Sequence, residues 1–253
     1  MNGPRPPLEI PGRPRPWIMA HRGASDLAPE NSAASFALAL EHGADLLETD
    51  LWFCGDGEIV CMHDRSLQRT TGDLRMVTDC AQSQIGKLRL VADAHGRYCD
   101  ERVPTLAELV ARTPDHVPLV LELKDPRFEE PARLQRLLDI LGARARERRA
   151  AVISESLPLL ERIHEQAPGI VTGHIGIRDP FGTSKTDMLG PWWPWLYCNP
   201  LYVRRAHARG QRVCPLDPRL HRHLPHHLRI DVDAVLTNDP RATRAEIARL
   251  RDR

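Results

Sequence analysis

From Trp17 onward, short apolar runs alternate with polar loops and with stretches whose apolar residues recur at helical spacing. Eight runs read as strands: Trp17 to Ala20, Ala44 to Asp50, Ile59 to Met62, Pro118 to Lys124, Ala151 to Ser154, Ile170 to His174, Arg212 to Cys214 and Asp233 to Thr237. Helical patterns fall at Ser32 to His42, Thr105 to Arg112, Pro131 to Arg149, Ser156 to Gln166, Pro200 to Arg209, Pro218 to Leu228 and Pro240 to Arg251. Ser32 and Thr105 stand where N-caps belong, and Glu108 completes a capping box with Thr105. Gly43 and Gly210 stand where left-handed helix ends call for glycine.

Strand alternating with helix implies a parallel sheet, because parallel neighbours need a crossover connection. Eight strands in about 235 residues predict a single-domain (β/α)8 TIM barrel, whose usual length is about 250. An open doubly wound sheet would want a glycine-rich turn after the first strand, and only His21-Arg22-Gly23 stands there. The 253 residues are 42% hydrophobic and 27% charged, ordinary for a globular chain. A formal net charge of +1 excludes a general nucleic-acid binder, which carries a basic excess. Of 35 cationic residues only Lys87, Lys124 and Lys185 are lysine. No apolar stretch is long enough to span a membrane. Six cysteines without a C-x-x-C pair read as reduced thiols, with the cytoplasm as the expected compartment. Residues 1–16, with six prolines and three arginines, read as a flexible arm ahead of a barrel over 17–253.

In such a barrel the chemistry gathers at the C-terminal ends of the strands. Those ends carry His21-Arg22-Gly23, Glu48-Thr49-Asp50, His63-Asp64 and Glu122-Leu123-Lys124, with Pro29-Glu30-Asn31 opening the first helix. Residues two apart on a strand face one side, so Glu48 and Asp50 point together, as do Glu122 and Lys124. Three carboxylates at one mouth repel unless a cation neutralises them, and an all-oxygen set suits Ca²⁺ or Mg²⁺. The plentiful arginines could neutralise them instead, so residue types alone leave both readings open. His21 and His63 could divide the roles of base and acid. With Arg22 and Lys124 as anion-holding cations, the set points to phosphoryl or phosphodiester hydrolysis.

In order and spacing these motifs resemble the glycerophosphodiester phosphodiesterase family. Arg69-Thr70-Thr71-Gly72, Val103-Pro104-Thr105-Leu106 and the segment Val232 to Pro240 extend the likeness from about Ile18 to Pro240. The resemblance implies a barrel that hydrolyses glycerophosphodiesters to glycerol 3-phosphate and an alcohol, using one divalent cation. It implies metal binding by Glu48, Asp50 and Glu122, acid and base roles for His21 and His63, and phosphate binding by Arg22 and Lys124. Glu30 and Asn31 are implied as supports that orient the first histidine or the metal water.

One departure concerns the seventh strand, where the family's Trp-Thr-Val-Asn-like segment is replaced by Cys214-Pro215-Leu216-Asp217. The leaving alcohol is therefore less firmly indicated than the chemistry. A lysophospholipase D-type activity on lysophospholipids is the alternative, and a silent phosphoester-binding barrel a more distant one. Trp192, Trp193 and Trp195 could form an aromatic lid that touches lipid, or could simply pack against the barrel. In the run His221 to His227, Pro225 interrupts and no acidic partner is adjacent, so a solvated helix is expected rather than a metal site.

Overall fold

The parallel sheet expected from the alternation is present in the computed structural model, which describes residues 8, 10, 12–91 and 97–252. Its strands are β1 (Trp17–His21), β2 (Leu46–Phe53), β3 (Ile59–Cys61), β4 (Leu119–Leu123), β5 (Ala150–Ser154), β6 (Val171–Gly176), β7 (Met188–Pro191), β8 (Arg212–Val213) and β9 (Ala234–Thr237). Eight of them pair in the order β8-β7-β6-β5-β4-β2-β1-β9, all parallel, with helices in the connections. The ring closes between β8 and β9 without a ladder. Asp233 does the joining: its backbone N–H donates to Val213 O at 2.9 Å, and its carboxylate accepts from Val213 N at 2.8 Å.

Two strands differ from the sequence reading. The run at Ile59 is not a barrel strand: β3 pairs antiparallel with the far end of β2, Leu51 opposite Cys61 and Phe53 opposite Ile59. The link between them is far too short for a crossover, so only a hairpin can form. The remaining barrel strand is β7, Met-Leu-Gly-Pro, whose glycine and proline hide any strand signature. The long Arg-rich helix is also interrupted. Gly142, at φ 52°, separates Pro131–Leu141 from Ala143–Arg146. Arg144 is buried there and donates to the carbonyls of Val117 and Thr113, which ties the second piece to the barrel.

Residues 1–7, 9 and 11 of the N-terminal arm lie outside the described residues. Leu8 packs with Trp17, Leu46 and Met188, the first residues of their strands, and so floors the barrel. Arg15 reaches Asp233 at 2.6 Å. Among the described residues no helix is long and apolar enough to cross a membrane.

Side chains along each barrel strand alternate between lumen and helix layer. On β1, Ile18 and Ala20 face the helices while Trp17, Met19 and His21 face inward. That alternation positions everything below.

Candidate active site

The carboxylates converge as expected. Ligand oxygens of Glu48, Asp50 and Glu122 lie within 4.8 Å of one another. They come from neighbouring strands in register, with Asp50 opposite Glu122. Asp50 is fully buried, and its Oδ1 accepts no hydrogen bond. Burial, then the charges of Asp50 and Glu122, push Glu48 well above the usual carboxylate range. Burial also raises Glu122 to about 7, with Lys124 opposing and Asp50 adding to the rise. Lys124 stands 2.6 Å from Glu122 and 3.4 Å from Asp50. Burial alone would lower its ammonium, but those two carboxylates outweigh it and hold it above its ordinary value. Lys124, with Arg22 shared between Asp50 and Glu30, does not balance the clustered acids, so this oxygen set fits a hard divalent cation.

Arg22 adopts φ 56° and Gly23 φ 82°, a turn that only glycine can complete, since a Cβ on Gly23 would sit 2.4 Å from Ser35 Oγ. The turn aims the Arg22 backbone N–H at Glu48 Oε2, 3.0 Å away, and its guanidinium at Asp50, 3.1 Å, and Glu30, 3.2 Å. Asn31, also left-handed at φ 57°, donates to Asp50 Oδ2 at 3.2 Å and accepts from Thr49 at 2.7 Å. Asn31 thus fixes the rotamer of a cluster carboxylate.

Both histidines have their tautomer set by neighbours. Asn238 Nδ2 donates to Asp26 at 3.1 Å, which turns its carbonyl oxygen to His21 Nδ1 at 2.8 Å. His21 must then donate from Nδ1, leaving the Nε2 lone pair free. Burial, and then the charge of Arg22, lower the pKa of His21 and keep it neutral. His63 follows β3 rather than a barrel strand. The hairpin returns it to the mouth, since Met62 N donates to Asp50 O at 2.9 Å and Trp52 Nε1 to His63 O at 3.0 Å. His63 Nδ1 lies 2.6 Å from Asp64, whose other oxygen accepts from Arg69; Arg69 in turn grips Glu30 at 2.7 and 2.8 Å. Glu30 therefore links Arg22 to the support of the second histidine. Burial would raise it, but Arg69 and Arg22 prevail and hold it below its ordinary value.

Asn238, Asp64 and Arg69 were not singled out as site residues from the sequence. For Asn238 a signal was available, because barrel closure sets β9 beside β1 and its end beside His21.

Beside the acidic cluster, a cavity of about 70 Å³ runs into the lumen. His21, Glu48 and Glu122 form its polar end, and apart from His174 its other walls are apolar side chains and glycine. None of the three loop tryptophans lines it. Trp192 bridges to Leu216, Trp193 stacks on His223 with ring centres 4.1 Å apart, and Trp195 donates to Ile177 O at 2.8 Å. The histidine run is not a solvated helix. His223 and His227 are buried and both meet the buried carboxylate of Asp217, at 2.9 and 2.7 Å. The acidic partner missing from the adjacent sequence comes from the loop after β8, and the helix Leu220–Arg229 runs through Pro225.

Residues 21–242 match the model of the glycerophosphoryl diester phosphodiesterase family. A probable glycerophosphodiester phosphodiesterase 1 of Mycobacterium tuberculosis is 34% identical, over 78% of this chain and 80% of its own. A glycerophosphodiester phosphodiesterase of Caldanaerobacter subterraneus subsp. tengcongensis is 28% identical over 88% of this chain and 94% of its own. Among solved structures, an Oleispira antarctica phosphodiesterase, in complex with the product sn-glycerol-3-phosphate, superposes with a TM-score of 0.78 at 23% identity. It covers 92% of this chain and 97% of that one. Motif order, barrel and family match agree, and the chain belongs to the glycerophosphoryl diester phosphodiesterase family, whose members are phosphoric diester hydrolases.

Proposed function

We propose that this enzyme hydrolyses glycerophosphodiesters to glycerol 3-phosphate and an alcohol, with a divalent cation held by Glu48, Asp50 and Glu122. The observation that carries the reading is three carboxylates within 4.8 Å, two of them buried and one of those with an oxygen that accepts no hydrogen bond. When bound, the cation supplies Lewis-acid stabilisation of phosphate charge. Arg22 and Lys124 flank the cluster and hold the phosphate oxygens, keeping the phosphorus in line with the attacking hydroxyl. His21, neutral and with Nε2 free, takes the proton of that hydroxyl. His63, oriented through Nδ1 by Asp64, delivers a proton to the departing alcohol. Asn238 and the chain Asp64-Arg69-Glu30 hold both rings in place. The six unpaired cysteines, Cys99 and Cys198 on the surface, support a reducing, cytoplasmic setting.

The test is hydrolysis of glycerophosphocholine, glycerophosphoethanolamine, glycerophosphoglycerol and lysophosphatidylcholine, with and without chelator. Turnover of the first three should vanish on chelation and return with Ca²⁺ or Mg²⁺. Turnover that survives chelation would remove the cation from the mechanism.

A further inference from the structure

Among the described residues, the cavity wall contributed by β5 to β8 carries no carboxylate, and its one basic side chain is His174. Ile153, Ile175 and Leu216 point inward there, and Gly173, Gly190 and Cys214 fill the positions between them with little or nothing. Ile153, Gly190 and Leu216 remain only half-buried although they face the interior, so the space between them is real. The two glycines play different parts. A Cβ on Gly173 would lie 2.7 Å from Ile153 Cγ2, so this glycine lets two strands pack. A Cβ on Gly190 would meet nothing closer than 3.5 Å, and its φ is not in the left-handed region. Gly190 is therefore not required by the backbone or by packing; what its missing side chain provides is room. Burial pushes the Cys214 thiol far above its ordinary value, so it serves as a neutral wall rather than a nucleophile.

We infer that Gly190 and Cys214 are specificity-determining positions, leaving a lumen pocket for one compact, carbon-surfaced ester substituent of the phosphodiester. The assignment rests on the phosphodiesterase reading for the position of the phosphate at the polar end of the cavity. Size follows from volume. An apolar cavity of about 150 Å³ holds a benzene ring, so about 70 Å³ holds roughly three carbons and cannot swallow an acyl chain.

The experiment is calorimetric binding of methyl, propyl and hexyl phosphate to the full chain, with Ca²⁺ and Mg²⁺ in parallel. Two added methylenes in an apolar pocket correspond to about tenfold tighter binding of propyl than methyl phosphate. Hexyl phosphate should gain nothing over propyl. Gly190→Val should bring the propyl-to-methyl ratio close to one, and Gly190→Ala should give an intermediate value. A wild-type ratio near one, an unchanged ratio in Gly190→Val, or no binding of any of the three esters overturns the inference. A normal propyl preference without hydrolysis of any glycerophosphodiester would instead sink the phosphodiesterase reading and leave the pocket standing.

Discussion

The barrel mouth has two unlike sides built by one rule. On β1, β2 and β4 the inward positions near the C-terminal ends are His21, Glu48, Asp50 and Glu122, with Lys124 just beyond. On β5 to β8 the corresponding positions are isoleucine, glycine, cysteine and leucine. The first side is held by charge and is strained by it, as the raised Glu48 and Glu122 record. The second is held by packing and has space to spare. Reaction chemistry and substituent recognition can thus vary independently, because they occupy different strands.

The largest effect should come from the charged side. His21→Ala and His63→Ala are each expected to lower kcat/KM on glycerophosphocholine by about 10²- to 10⁴-fold, with unchanged circular dichroism. Near-normal turnover in either variant would remove that side's claim to be the reaction centre.

Cation binding should relieve the repulsion and show as stability. At a concentration of about 100 Kd, Ca²⁺ or Mg²⁺ should stabilise the protein by about 2.7 kcal/mol, read as a rise in Tm. Glu122→Gln should lose most of that rise, whereas Ile153→Val, on the apolar side, should keep it. An equal response in both variants would mean that the cation binds elsewhere.

Within the apolar side the two glycines should separate. Gly173→Ala forces Ile153 and Met188 aside and should cost about 1–3 kcal/mol. Gly190→Ala should stay within about 0.5 kcal/mol of wild type in denaturant titration. Similar losses would show that the space around Gly190 closes in solution.

A modest effect concerns the Asp217 clamp behind the tryptophan loop. Burial would raise this carboxyl, but hydrogen bonds from His227, the Arg219 backbone and His223 bring it below its ordinary value. Its contribution is therefore present above the ordinary carboxylate pKa and lost as pH falls through the lower folded value. Asp217→Asn should cost about 1 kcal/mol at neutral pH and flatten the acid limb of a Tm-against-pH curve. An unchanged acid limb would show that other groups govern it.

The same contrast explains what could be read without coordinates. Acids, histidines and a rare lysine stand out at the ends of apolar runs, so Glu48, Asp50, Glu122, His21 and Lys124 were legible as a group. The apolar side is written in residues that any core uses, and β7 has a glycine and a proline where a strand signal should be. Counting Ile59 to Met62 as a barrel strand gave the right total with one wrong member. Periodicity reports that a segment is extended, not which neighbour it pairs with. Asp217 with His223 and His227 escaped because the clamp joins a loop to a helix across ten residues of chain. Spacing rules see only partners on one element.

The pairing of β1 with β9 carries a further consequence. Trp17 lies opposite Ala234 and Ala20 opposite Thr237, so the first strand waits for the last. During synthesis one edge of β1 stays open until the residues through Thr237 have been made, and for that interval it can recruit foreign strands. Asp233 acts within the same seam, gathering Val213, Arg15, Arg212 and His207 around one buried carboxylate. The latch on the ring is thus one of the last parts of the barrel to be translated, which makes its arrival a candidate for the step that commits the nascent chain to its fold.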